Sequence, residues 1–135
     1  MAEATAPKLS VVLVSPQLEK LHAAATMTSV AALSGMQVNL FITMEALRMF
    51  LKETVEKRDF VVEGEVSRTL LAKEVPLYYQ MLADAKESGD MHIYACALAA
   101  DIMGWKKEEM LEIIDDVIGV SEYFGIALGG IILTM

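Results

Sequence analysis

The chain alternates between short apolar runs and longer segments in which apolar residues recur at helical spacing. The apolar runs have the length and the β-branched content of buried strands. They are "LSVVLV" from residue 9, "MQVNLFIT" from residue 36, "MHIYAC" from residue 91, "VIGV" from residue 117 and "IILT" from residue 131. This pattern predicts five strands separated by helices.

Helical spacing is clearest over 17–35, where Leu18, Leu21 and Leu33 lie on one face and Gly35 is a suitable stop. Further helices are predicted over 44–57, over 76–89 with Pro76 in the first turn, over 97–104, over 106–116, and over 121–128 with Ser121 as N-cap. Between them, the charged segment 52–69 is expected to be a flexible or variable insertion, although "FVVEGEV" allows a small hairpin.

The alternation of strands and helices predicts an α/β fold. We expect a single-domain three-layer sandwich, flavodoxin-like or Rossmann-like, with a mostly parallel sheet of about five strands covered on both faces. A length of 135 residues is that of one domain, spanning 1–135. Residues 1–8 precede the first strand and are expected to be disordered.

Four small polar or nucleophilic residues lie at or just past predicted strand ends: Ser15, Thr43, Cys96 and Ser121. In parallel sheets, ligands bind beyond the carboxyl ends of the strands. These four residues are therefore the candidates for a functional pocket at one edge of the molecule.

Cys96 is the single cysteine of the chain, which excludes an internal disulfide and a paired-cysteine redox motif. At a strand-to-helix junction, a thiolate gains from the free N–H groups of the helix. A lone cysteine is also a common buried space-filler. His92 lies four residues away along the strand, roughly 13 Å, and is predicted to be structural rather than a base. The local sequence leaves both interpretations of Cys96 open.

The composition argues against a membrane-spanning protein, against a nucleic-acid partner and against a cofactor or metal site. The chain is 55 % hydrophobic with a mean hydropathy of +0.44, yet no apolar run approaches the about 20 residues of a membrane span. We therefore expect a cytoplasmic protein with no membrane insertion, whose excess apolar surface is covered by self-association. A net charge of −8 argues against nucleic acid as a partner. No phosphate-binding glycine motif or metal-ligand spacing is present, so no cofactor and no metal are expected.

The motif "IYACALAADIMG" resembles the cysteine motif of the DsrE/DsrF-like (TusD-like) sulfurtransferase family. The matching positions are Tyr94, Ala95, Cys96, Asp101, Met103 and Gly104. The resemblance extends to "AALSGMQVNLFIT", to "KKEEMLEIIDDVIGV" and to the closing "IILTM".

This resemblance implies a sulfur-transfer protein in which Cys96 holds sulfane sulfur as a persulfide or thiosulfonate. It implies a homo-oligomer, a trimer or a dimer, and a TusA-like or other sulfur-carrier protein as partner. Whether the chain is an enzyme or only a carrier stays open. The alternative is a non-catalytic oligomeric interaction subunit with a buried, inert cysteine.

Overall fold

A computed structural model of the chain describes residues 6–135. The strands are β1 (Lys8–Leu13), β2 (Gln37–Ile42), β3 (Met91–Cys96), β4 (Asp116–Ile118) and β5 (Ile131–Thr134). The helices are α1 (Leu18–Leu33), α2 (Met44–Arg48), α3 (Lys52–Glu56), α4 (Gly64–Ala72), α5 (Tyr78–Ser88), α6 (Ala97–Met103) and α7 (Val120–Ala127). Of the segment predicted to be disordered, residues 1–5 lie outside the described residues, and Lys8 is the first residue of β1.

The strands form one parallel sheet in the order β4-β3-β2-β1-β5, which confirms the predicted fold class. The chain adds β1 to β4 one after another and then returns to place β5 on the far side of β1. All the strands therefore end at the same edge, and the predicted site residues lie there.

The two faces of the sheet bury different residues, because side chains alternate along a strand. Val11, Leu40 and Ile93 are fully buried on the face that α1 and α5 cover. On the opposite face lies α7, whose Tyr123 ring stacks on Phe41 with 4.7 Å between the ring centroids. Alternation along β3 assigns Tyr94 and Cys96 to this second face.

The prediction of a helix over 106–116 is wrong. Within this fully described segment a single 3₁₀ turn forms at Lys107–Glu109, and the chain then runs extended into β4. Met110 pairs with Leu51 in an isolated antiparallel bridge, and the Leu111 N–H donates to the Phe50 carbonyl at 2.8 Å. These tertiary hydrogen bonds outweigh the weak helix preference of the sequence.

The helix predicted over 44–57 is divided into α2 and α3. The break falls at 49–51, because Leu51 is extended in its bridge to Met110 and the Met49 carbonyl accepts a hydrogen bond from the buried Tyr78 hydroxyl. The Thr54 hydroxyl donates to the Arg48 carbonyl at 2.7 Å and closes the break.

The segment 52–69 is folded against the rest of the domain. The small hairpin does not form: Val61 makes a parallel bridge with Gln17, and its carbonyl accepts from the Leu18 N–H at 2.9 Å. The chain then enters α4 at Gly64, and Ser67 of this helix is fully buried. This segment therefore anchors the start of α1.

Most helix ends follow the predicted signals, with two exceptions. Gly35 stops α1 with a φ of 96°, which favours glycine. Pro76 lies outside α5, because Leu77 is the N-cap and donates its N–H to the Gln80 side chain at 2.8 Å. The N-cap of α7 is Gly119, so Ser121 is not the cap.

In the part of the chain that the structure describes, no helix has both the length and the apolar character needed to cross a bilayer.

Candidate functional site

Cys96 is the last residue of β3 and the N-cap of α6, as its place between "HIYA" and "ALAA" predicts. It pairs with Ile118 of β4 on one side. On the other side it lies next to Thr43, since the preceding pair in the ladder is Ile42 with Ala95. Its side chain is 5 % exposed and makes no hydrogen bond to the N–H groups of α6. The thiol is therefore well positioned at the strand ends but covered.

Of the other predicted pocket residues, Thr43 lies close to Cys96. Thr43 is buried, and its N–H donates to the Leu13 carbonyl at 2.9 Å, which extends the ladder between β1 and β2 by one residue. Because neighbouring strands lie about 4.8 Å apart, the backbone of Thr43 is about that far from the backbone of Cys96.

Ser15 and Ser121 are not brought to the thiol. Ser15 follows β1, two strands from β3 and hence roughly 10 Å from it laterally. The N–H groups of Val14 and Ser15 donate to the Met135 carbonyl at 2.7 and 3.2 Å, which closes the space between the ends of β1 and β5. Ser121 is exposed in the first turn of α7. The four candidates share one edge without forming a common pocket.

An acidic and aromatic surface lies beside Cys96 on the second face of the sheet. The His92 ring stacks on the Tyr94 ring, with 6.4 Å between the two ring centroids. The Nε2 atom of His92 lies 2.9 Å from a carboxylate oxygen of Asp90. Burial raises the pKa of the Tyr94 hydroxyl, and the negative charges of Asp115 and Glu122 raise it further. His92 is therefore engaged by its neighbours, in agreement with the structural role predicted for it.

An apolar groove, which the sequence pattern did not predict, lies between α2 and α6. This groove has a volume of about 200 Å³ and is lined by Met44, Glu45, Ala99, Ile102, Met103 and Trp105. Ala99 lies one turn after Cys96, so the groove opens close to the thiol.

Met44, at one side of this groove, has an unusual backbone. Its φ of 52° lies in the left-handed region, which costs a methionine energy, and Arg58 and Glu74 have similar values elsewhere in the chain. Met44 is the second residue after β2 and follows Thr43, so the end of this strand was a signal that could have pointed to it.

Larger cavities lie elsewhere. One of them, about 340 Å³, takes its walls from α4, α5 and the turn between them, with Arg58, Glu74 and Tyr79 among its lining residues. None of its lining residues follows a strand end, so we assign it no part in thiol chemistry.

Arg48 and Arg58, whose cations could support a thiolate, have other contacts within the chain. The Arg48 guanidinium lies 5.2 Å from the Trp105 ring centroid and bonds to Glu45 at 3.1 Å. The Arg58 guanidinium lies 5.5 Å from the Phe60 ring centroid, and Arg68 is exposed on α4. The charged groups that act on Tyr94, two residues before Cys96, are the carboxylates of Asp115, Glu122, Asp116 and Asp90.

The loop between α6 and β4 is fixed to the end of the sheet. The Asp115 carboxylate accepts from the Ile93 N–H at 2.7 Å and from the Lys86 ammonium. At the other end of the loop, Gly104 ends α6 with a φ of 71°, and the Trp105 N–H donates to the Ala100 carbonyl at 2.9 Å. These contacts fix both ends of the loop that follows α6.

Solved structures with a similar fold span nearly the whole chain. MTH1491 from Methanobacterium thermoautotrophicum, a protein of unknown function, has a TM-score of 0.66 at 10 % identity and covers 96 % of this chain and 99 % of its own. The ychN protein from E. coli has a TM-score of 0.60 at 14 % identity, with 97 % of this chain and 100 % of its own covered. At these identities the likeness is one of fold.

Sequence comparison identifies the family. A comparison with curated proteins finds no significant match. The sequence profile of the DsrE/DsrF/DrsH-like family matches residues 61–132, a range that includes Cys96 and the strands β3 to β5 almost completely. Because the match covers more than half of the chain, this protein belongs to the DsrE/DsrF/DrsH-like family.

Proposed function

We propose that this protein is a sulfur carrier in which Cys96 holds sulfane sulfur and passes it to the thiol of a partner protein. Family membership suggests a sulfur-transfer role, and the observation that carries the proposal is that the family match includes Cys96. Cys96 is the single thiol of the chain and stands at the end of a parallel strand, where α/β proteins place their reactive groups.

The transfer consists of two thiol exchange steps. In the first, the Cys96 thiolate attacks the outer sulfur of a donor persulfide, forms the new S–S bond and releases the donor thiolate. In the second, a partner thiolate attacks the outer sulfur of the Cys96 persulfide and releases the Cys96 thiolate. Each step exchanges one S–S bond for another, so no external oxidant is needed. A chain with one cysteine cannot divert this sulfur into an internal disulfide.

Because Cys96 is buried, we propose that α6, which begins directly after Cys96, moves before the sulfur reacts. The exposed side of α6 carries Leu98, Ile102 and Met103, each at least 49 % exposed. We propose that a TusA-like or other sulfur-carrier protein covers these side chains and opens access to the thiol. The carboxylates of Glu122 and Asp116, which act on Tyr94 two residues before Cys96, favour a partner that brings a cation to the persulfide anion. A reduced thiol of this kind belongs in the cytoplasm.

The test is mass spectrometry of the intact protein after incubation with inorganic polysulfide. We expect a gain of one sulfur on the wild type, reversed by dithiothreitol, and no gain on Cys96→Ser. Serine is the matched control because it is close in size to cysteine and is a favoured N-cap, so α6 keeps its start. An unmodified wild type, or equal gains on both proteins, would contradict the proposal.

The second candidate is a non-catalytic interaction subunit, and the 5 % exposure of Cys96 favours it. Labelling of the native protein with a maleimide separates the two candidates. A carrier is labelled within minutes to hours as α6 opens, and the rate rises when the partner is added. A subunit with an inert cysteine is labelled at the rate of global unfolding alone.

A further inference from the structure

The cavity of about 340 Å³ between α4 and α5 is lined by one cation and one anion, Arg58 and Glu74. In the described part of the chain, neither side chain forms an ion pair with the other or with a third residue. The Arg58 guanidinium contacts the Phe60 ring, with 5.5 Å to the ring centroid, and this contact leaves its charge unneutralised. Both charges are therefore open to a ligand in the cavity.

Arg58 and Glu74 occupy helix ends at which glycine is usual. They are the C′ residues of α3 and α4, with φ of 52° and 53°, and their N–H groups donate back to the carbonyls of Val55 and Leu71. Gly35 holds the same position after α1, because glycine adopts this backbone without the steric cost of a side chain. The chain thus places two charged side chains where glycine would cost less, and both line one cavity.

The walls that carry the polar groups are fixed by hydrogen bonds within the chain. Directly after Arg58, the Asp59 N–H donates to the Thr54 carbonyl at 2.9 Å. At the start of α5, the side-chain oxygen of Gln80 accepts from the Leu77 N–H at 2.8 Å, which leaves the Gln80 amide nitrogen as a donor at the cavity. A cavity formed in advance loses little affinity to the ordering of its walls.

The rest of the lining is mainly apolar. Leu70, Leu71, Val75 and the half-buried Tyr79 complete the walls. The volume is at the lower end of the range of about 300–1,000 Å³ that small-molecule sites have. The cavity therefore suits a compact ligand that combines an apolar group with one positive and one negative charge.

We propose that this cavity binds a free α-amino acid with an aliphatic side chain. The ligand carboxylate accepts from the Arg58 guanidinium, whose planar donors match a carboxylate, and from the Gln80 amide. The ligand ammonium binds the Glu74 carboxylate, and the aliphatic side chain packs on Leu70 and Val75. A simple anion would be repelled by Glu74 and a simple cation by Arg58, so a zwitterion is the class that satisfies both charges.

Isothermal titration calorimetry of the full chain with L-leucine at pH 7 tests the proposal. We expect saturable binding of one leucine per chain. Isocaproate lacks the ammonium group of leucine and isoamylamine lacks its carboxylate, so each should bind at least about tenfold more weakly. The absence of saturable leucine binding, or equal binding of the three compounds, would overturn the proposal.

Glycine variants separate binding from folding. Arg58→Gly and Glu74→Gly should unfold at no lower temperature than the wild type, because glycine relieves the left-handed backbone, and each should bind leucine at least about tenfold more weakly. Arg68→Gln and Glu87→Gln change exposed charges on α4 and α5 outside the cavity and are the matched controls. Unchanged leucine affinity in either glycine variant contradicts the proposal. Cys96→Ser should bind leucine as the wild type does, so this site and sulfur transfer can fail separately.

Discussion

At the scale of single residues, the second face of the sheet combines aromatic rings with buried polar groups. The Tyr123 hydroxyl donates to the Asn39 carbonyl at 2.8 Å and lies 3.4 Å from the Val11 carbonyl, while its ring stacks on Phe41. One side chain thus joins α7 to two strands. Burial raises the pKa of Tyr123 to about 12, against the lowering effect of its hydrogen bonds with Ser10 and Val11.

The raised pKa of Tyr123 predicts that the free energy of unfolding falls in alkali. An unfolded tyrosine ionises near pH 10, and the folded one holds its proton to about pH 12. The contribution of Tyr123 is therefore complete below about pH 10 and is lost as the pH rises to about 12. We expect Tyr123→Phe to be less stable at pH 7 by about 1 kcal/mol, because it lacks the hydroxyl hydrogen bonds, and to lose less stability in alkali.

Urea unfolding of both proteins at a series of pH values measures this difference. Tyr78, whose pKa burial also raises, is present in both proteins, so their difference isolates Tyr123. Parallel stability curves above pH 10 would show that Tyr123 ionises as freely in the folded protein as in the unfolded one.

At the scale of elements, the close packing of α1 against the end of α5 depends on one glycine. A Cβ at Gly89 would lie 2.9 Å from the carbonyl carbon and oxygen of Ala32, closer than such atoms approach. The sequence predicted Gly89 as a helix stop, which it is, but its steric role depends on the neighbouring helix.

We therefore expect Gly89→Ala to lower the free energy of unfolding by about 1–3 kcal/mol, because backbone must shift to admit the methyl group. Gly125→Ala is the matched control: Gly125 lies within α7 with nothing within 4 Å of an added Cβ. At Gly125, alanine should raise the free energy of unfolding by about 0.5–1 kcal/mol, because it reduces the backbone entropy lost on folding. Equal effects in chemical unfolding would contradict this account.

The element scale also shows where prediction from the sequence succeeds. Strands β1, β2 and β3 were predicted within a few residues, because each is an uninterrupted apolar run. The helix over 106–116 was wrong because its hydrogen-bonding partners, Phe50 and Leu51, lie more than fifty residues earlier in the chain. No local pattern contains that information.

At the scale of the whole molecule, the net charge opposes the self-association that the apolar composition predicts. Two chains of charge −8 repel each other over about 30 Å at roughly 0.01 M salt, but over only about 3 Å at 1 M. We expect self-association of this chain to become several-fold stronger between these conditions. Sedimentation equilibrium at both salt concentrations measures the change. Weaker association at high salt would point to an interface held by ion pairs instead.

The sequence by itself determined the fold class, the order of the strands along the chain and the location of Cys96 at a strand-to-helix junction. These follow from local patterns of apolar residues and helix-stop signals. Only the tertiary structure decided that Thr43 lies beside Cys96 while Ser15 and Ser121 do not, that the thiol is buried, and that β5 is an uncharged edge. Which strands are neighbours, and which side chains are covered, depend on contacts between residues distant in sequence.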